Sequence, residues 1–437
     1  MNRFKHFFAV ILLLVALSVA LSNLHRSAQA SSTENTYVVN VYPLEDTAAG
    51  GPEGITVDEK GNVWFATGAG RIGVLTASER AITLYGHGTN GNSFEIKARH
   101  GSVWFTKSFG SDTPSELLQF DPSTGQFKQY ALPDKGSIIG GGLDIDDSGN
   151  VWFTETNRDR IGMLDPVTGT FARYPALQEE SGPVRLVVDG SSGEVWFTEN
   201  SVDRVGVLDP QSKRYREYTL PAPGSHPNGL AMDSSGNLWF GETGSSLIGI
   251  LDRLTGQITE FQPPTVGCVP SGIATDRFGR VWFSELEGNK IGLFDPRDES
   301  FEEYEIPIGD AHPKGIAVDS EDRVWFALYL ARSIAVLEKL PSTSTQTSES
   351  TFSEQTTSFR SSVAKSTDLE SGPSALEWQA PAIAMAVVLA VGAVVLFNRR
   401  RKHVDLSPSA SKYCVKCRCR LPADAVFCDA CGARQEK

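Results

Sequence analysis

At 437 residues, with 40% apolar and 21% charged positions, the chain is long enough for a large core and too mixed in composition for a fibrous or wholly disordered protein. A formal net charge of −13 excludes nucleic acid as a partner of the chain as a whole. Six cysteines spread over this length exclude a disulfide-built scaffold.

Residues 1–30 begin with Arg3 and Lys5, continue through an apolar run over 7–21 broken by Ser18, and reach small residues at Ala28 and Ala30. That is the pattern of a secretory signal peptide. Because His25 and Arg26 lengthen the stretch after the apolar run, an uncleaved anchor stays open as the alternative.

Val-Trp-Phe or a close variant then recurs, with its tryptophan at Trp64, Trp104, Trp152, Trp196, Trp239, Trp282 and Trp325, at spacings of 40, 48, 44, 43, 43 and 43 residues. Repeats of this length, built from short strands and Gly-rich turns, mark propeller blades, small sheets that bury their faces only against neighbours. The unit 228–264 reads as NGLAMD, a turn SSGN, LWFGE, a loop, LIGILD, a turn RLTGQ and ITEFQPP. Four strands per unit and seven units predict an all-β, seven-bladed propeller over residues 31–340. In Leu238-Trp239-Phe240 the outer two side chains share one face, so each blade is expected to press its indole on the adjacent sheet. The Asp-rich stretches 144–150 and 233–237 lack the spaced ligands and terminal Glu of a calcium loop and read as hairpin turns.

The last unit ends at Ser333-Ile334-Ala335-Val336-Leu337 and meets Pro341 without a fourth strand. Residues 36–44 carry a spare strand of the right kind, so the N-terminal segment is expected to cover that edge and close the ring.

Residues 341–378 are rich in Ser, Thr and Glu and read as a disordered stalk reaching roughly 35 Å r.m.s.. A transmembrane helix is expected over 379–398, where the uncharged run 380–397 lies between Trp378 and Arg399-Arg400-Arg401-Lys402. The basic flank predicts a single-pass cell-membrane protein with the propeller outside and residues 399–437 in the cytoplasm. There, Cys414, Cys417, Cys428 and Cys431 form two C-x2-C pairs, which fit a closed tetrahedral Zn²⁺ site with no position left for water. Phe427 to Gly432 is similar to the FCxxCG half of small zinc ribbons. Cys419 is a spare thiol, and Cys268 stands alone in the exported part.

The repeat, visible in Asn150-Val151-Trp152-Phe153-Thr154-Glu155, Arg160-Ile161-Gly162 and Asn289-Lys290-Ile291-Gly292, resembles that of the streptogramin B lyase (virginiamycin B lyase) family. The resemblance covers about residues 36–340. It implies a seven-bladed propeller that opens cyclic depsipeptides by elimination, using two histidines, two glutamates and Mg²⁺ on the last two blades. The corresponding positions hold Ser271 and Lys314 for the histidines, and His312 and Tyr329 for the glutamates. This set supplies neither a carboxylate pair for Mg²⁺ nor a matched imidazole base.

One turn position, read around the ring, gives Glu53, Phe94, Gly141, Val184, Asn228, Ser271 and Lys314, with Glu95, Arg185 and His312 beside it. Glu53, Glu95, Arg185, Asn228, Ser271 and Lys314 are therefore the candidate ligand-binding residues. Lys314 and Glu53 become neighbours on closure, so an ion pair joining first blade to last is one reading, and a ligand carboxylate or phosphate held by Lys314 and Arg185 is the other. The expected function is binding of an extracytoplasmic small molecule or protein. A lyase, which would need Mg²⁺, a propeller lactonase and a structural component of the cell envelope stay as alternatives.

Overall fold

The computed structural model describes residues 37–86, 91–108 and 113–340, together with the short segments 412–413 and 420–421. Seven four-stranded antiparallel sheets carry residues 37–339, and we number them as blades 1 to 7 in chain order. In blade 5 the strands are Pro227–Met232, Leu238–Glu242, Leu247–Leu251 and Ile258–Phe261, paired in sequence order. Short polar turns join them, which is why neighbours in sequence are neighbours in the sheet.

The second strand of each blade is buried on both faces. Leu238 and Phe240 pack on Trp196 of blade 4, while Trp239 points the other way onto Val281 and Phe283 of blade 6. The same exchange operates at every blade interface, including Trp325 of blade 7 against Val63 and Phe65 of blade 1. The core is thus divided among the interfaces, so no blade is stable without its neighbours. The Ile-Gly pair of the third strand belongs to this packing: a Cβ on Gly292 would lie 2.1 Å from the Phe283 ring, and one on Gly162 would lie 2.2 Å from that of Phe153.

The Asp-rich hairpins are held by their own carboxylates. Asp233 accepts from the amides of Ser235 and Asn237 at 2.9 and 3.0 Å through one oxygen, and from the Trp239 indole at 3.1 Å through the other. Asp58, Asp146, Asp276 and Asp319 bond their tryptophans likewise. Turn and indole are thereby fixed by one side chain, as the turn reading requires.

Closure follows the expected route. Tyr37–Pro43 pairs antiparallel with Ser333–Lys339, from Tyr37 opposite Lys339 to Pro43 opposite Ser333, and completes blade 7. Cys268 is buried and unbridged.

At the axis, the first strand slips register in blade 1 and in blades 3 to 7, between the proline or isoleucine that opens it and the apolar residue that follows. Hydroxyls on second strands tie these bulges together. Ser284 Oγ accepts from Gly272 N at 2.8 Å and donates to Lys314 O of the next blade at 2.6 Å. Thr198 joins Arg185 N to Asn228 O in the same way, at 3.2 Å each.

Lys412–Tyr413 pairs with Arg420–Leu421 in a two-stranded ladder. The signal peptide, the stalk, the transmembrane run and the four cysteines Cys414, Cys417, Cys428 and Cys431 lie outside the described residues. Among the described residues no helix is long and apolar enough to cross a membrane.

Candidate functional site

The turns that open the first strands meet around the axis and form one mouth of the ring. Their glycines are dictated by crowding. A Cβ on Gly229 or Gly272 would lie 2.4 Å from the carbonyl oxygen of the next blade's turn, and one on Gly315 would lie 2.6 Å from Glu53 O. In blades 2 and 4 this glycine is replaced, by Glu95 and Arg185, and those two side chains enter the axial cavity. They pair with each other across the axis.

Arg185 spans three blades. Its Nη1 donates to Gly141 O of blade 3 at 2.7 Å as well as to Glu95, and its Nε donates to Asn228 Oδ1 of blade 5 at 3.3 Å. Blade 3 gives it room, because a Cβ on Gly141 would lie 2.7 Å from the guanidinium carbon. The cavity below has a volume of about 70 Å³, and Lys97 also lines it. That volume is far below the several hundred Å³ of an ordinary organic-ligand pocket, so a ligand of that size would sit in the mouth above the strap.

A second cluster lies across the ring closure. Lys314 Nζ is 2.7 Å from Glu53 Oε2 and 3.7 Å from the centroid of the Tyr329 ring. The carboxylate and the aromatic face hold the ammonium from two sides. Main-chain bonds fix the surroundings, with Tyr329 N donating to His312 O at 3.1 Å. The His312 backbone is left-handed, with φ of 50°. Ser271, on blade 6, packs its carbonyl oxygen on Gly229. The six candidates therefore fall into an Arg185–Glu95–Asn228 strap and a Lys314–Glu53 pair, with Ser271 on the wall, and each cation is answered by a carboxylate of the ring.

Behind the mouth, the second strands of blades 3 to 6 end in Glu155, Glu199, Glu242 and Glu285, all buried. Lys107 takes the place in blade 2, beside Glu116. Glu155 accepts from Arg160 at 2.9 and 2.7 Å and from Arg173 at 3.0 Å. In blades 4 and 6 the third-strand cation turns to a different partner: Arg204 pairs with Glu217 at 2.5 Å, and Lys290 with Glu303 at 2.8 Å. Burial, then the neighbouring Glu217, pushes Glu199 up to about 7. Burial, then Glu303, pushes Glu285 up to about 8. Blade 5 carries Leu247 where the cation would stand, and burial with Glu260 nearby raises Glu242. Among the described residues no three His, Cys, Asp or Glu side chains assemble as a metal-binding group.

Comparison with known proteins agrees with this architecture. The model of the virginiamycin B lyase family matches residues 37–337. Selenomethionine-substituted virginiamycin B lyase from Staphylococcus aureus is 30% identical, with a TM-score of 0.64, over 70% of this chain and 100% of that one. A catalytically inactive His-to-Ala variant of the same lyase, solved with quinupristin, matches with the same identity, TM-score and coverage. The extracellular domain of a hybrid two-component system from B. thetaiotaomicron shares the fold at 16% identity and a TM-score of 0.54, over 70% of this chain and 42% of that one. Among curated proteins no sequence match is found.

Proposed function

We propose that this chain, which belongs to the virginiamycin B lyase family, is a binding member of that family, a membrane-anchored extracytoplasmic propeller whose axial mouth takes a small molecule or partner protein. The observation that carries the reading is the state of Lys314. It occupies one of the family's two histidine positions, and it is bonded to Glu53 at 2.7 Å and seated on Tyr329, which occupies a glutamate position. An elimination needs a base that is free to take a proton, and a protonated amine held by a carboxylate is the opposite of that. Mg²⁺ does not fit this set either. It wants several oxygen ligands in octahedral array, whereas Ser271, His312, Lys314 and Tyr329 bring no carboxylate and Glu53 is already committed to the ammonium.

The test is an assay of residues 31–340 with Mg²⁺ and quinupristin, read by chromatography and fragmentation because elimination leaves the mass unchanged. No ring-opened isomer is expected. Turnover at an enzyme's rate that disappears in Lys314→Ala or Tyr329→Phe would overturn the binding reading, and a product heavier by one water would point to a lactonase.

The same proposal includes a span over 379–398 and a structural Zn²⁺ held by Cys414, Cys417, Cys428 and Cys431 on the cytoplasmic side. The ladder of 412–413 with 420–421 supports the zinc reading, since it sets paired strands on either side of the first C-x2-C in sequence. Protease added to intact cells should remove the ring and spare the tail. A peptide of residues 409–437 should bind one Zn²⁺ and unfold with chelator, Cys428→Ser should weaken it sharply, and Cys419→Ser should change little. Equal losses in the two variants would make Cys419 a ligand and the assignment of four wrong.

A further inference from the structure

First-to-second and third-to-fourth strand turns lie at the end of the blades opposite the mouth. On that face, where blades 6, 7 and 1 meet, a groove of about 670 Å³ opens, a volume that does suit an organic ligand. Six basic side chains line it, Arg80, Arg277, Arg280, Arg297, Arg323 and Lys339, on a chain whose formal charge is −13. Its three acidic residues already have partners. Asp322 pairs with Arg277 at 2.5 Å, Glu321 with Arg323 at 3.3 Å, and Glu338 accepts from Asn40 at 2.7 Å.

Carboxylates below the groove orient the guanidiniums, with the side chains of Arg280 and Arg323 left 19% and 21% exposed. Asp276 and Asp319 hold Arg280 and Arg323 at 2.7 Å, and Asp295 holds Arg297 at 2.5 Å. Each such bond uses one or two of the five N–H donors of an arginine. The side chains of Arg277 and Arg297 remain 63% and 68% exposed. Phe278, 53% exposed, lies between the guanidiniums of Arg277 and Arg280, at 5.0 and 5.3 Å from its ring centroid. Fixed, outward-facing guanidinium forks several to a groove match the planar, bidentate demand of phosphate oxygens.

We propose that this groove is a second binding site, for a ligand carrying two or more phosphate groups. The chain enters the ring at Tyr37 and leaves it at Lys339, and both residues line the groove. The site therefore stands at the root of the segment that leads toward residues 379–398, where phosphate can come from a lipid headgroup or from a soluble compound.

The experiment takes the ring, closed within 37–339, as residues 31–340. It is titrated with inorganic triphosphate, and sedimented with phosphatidylcholine vesicles with and without cardiolipin, a lipid that carries two phosphate groups. Triphosphate should bind with an affinity that falls as salt rises. The double variant Arg277→Gln with Arg297→Gln should weaken binding at least about tenfold, as two charge-assisted contacts are lost. Lys60→Gln with Lys213→Gln, the same charge change elsewhere on the same face, should leave it within about twofold. Sedimentation that needs cardiolipin and is competed by triphosphate assigns the phosphate to a lipid; triphosphate binding without sedimentation assigns it to a soluble ligand. Absence of triphosphate binding, or equal weakening by the two double variants, overturns the proposal.

Discussion

A ring whose chain begins at residue 44 is expected to lose its cooperative thermal unfolding transition. The deletion takes away Tyr37–Pro43, the outer strand of blade 7, and leaves Ser333–Lys339 as an unpaired edge. It also strips apolar cover from two blade interfaces. Tyr37 packs on Trp282 and Tyr304 at ring separations of 6.1 and 5.0 Å, Val39 and Val41 on the same cluster, and Tyr42 on Trp325 at 6.1 Å. At about 1.5–3 kcal/mol for each large side chain fully buried, four such residues approach the whole stability of a typical domain even after a discount for partial burial. Blade 7 would then be three strands without a cover, and blades 1 and 7 would part. Circular dichroism melting decides it. A peptide of residues 36–44 added in trans should restore part of the transition, whereas a truncated ring that melts at the full-length temperature would mean that this ladder does not hold the ring shut.

That strand was legible because its absence was: six units end in a fourth strand, and the seventh stops at Leu337 with a strand of matching character left over near Tyr37. The tryptophans were legible for a related reason. Interface packing repeats with the blade, so Trp239 between Phe240 and Leu238 states its own role seven times over. The Lys314–Glu53 pair could be read from the turn position alone, since closure makes blades 7 and 1 neighbours. Residues that break the repeat were harder to read. Arg185 meets Glu95 across 90 residues of sequence, because the glycine of the turn is missing in just those two blades and Gly141 clears the space between them. The only signal was the pair of missing glycines, and charge type alone did not say that the two would meet. Lys97 gave none. The arginine groove is assembled from six separate turns and strand ends, which periodicity treats as unrelated. The burial of Glu199 and Glu285 was hidden by their position in the Val-Trp-Phe-x-Glu repeat, where a polar end residue reads as the start of a loop.

Those buried carboxyls give the ring a pH dependence of unusual sign. Burial and a neighbouring carboxylate raise Glu199 to about 7 and Glu285 to about 8, against 4.5 for the unfolded chain, and Glu242 moves in the same direction. Between 4.5 and about 8 the folded ring therefore holds protons that the unfolded chain has released. Stability falls as pH rises through that interval, because unfolding then gives up protons. On the acid side the sign reverses: Arg297 and its neighbours hold Asp295 down to about 2, and hydrogen bonds and the Lys290 ammonium lower Glu303 against the effect of its own burial. Stability carried by these groups is lost as pH drops below the unfolded carboxylate values. The melting temperature should thus peak near pH 4 to 5 and decline toward pH 9, as the free energy of unfolding falls by several kcal/mol at about 1.4 kcal/mol per unit of raised pKa. Glu285→Gln, which keeps the shape of the protonated carboxyl, should match the wild type at pH 5 and exceed it at pH 9. Glu155→Gln should behave differently, since it removes the buried carboxylate that accepts from Arg160 and Arg173, leaves them only the more exposed Asp134, and so destabilises the ring across pH 5 to 9. A flat melting temperature from pH 5 to 9, or parallel losses in the two glutamine variants, would mean that the carboxyls behind the mouth are charged and compensated in every blade.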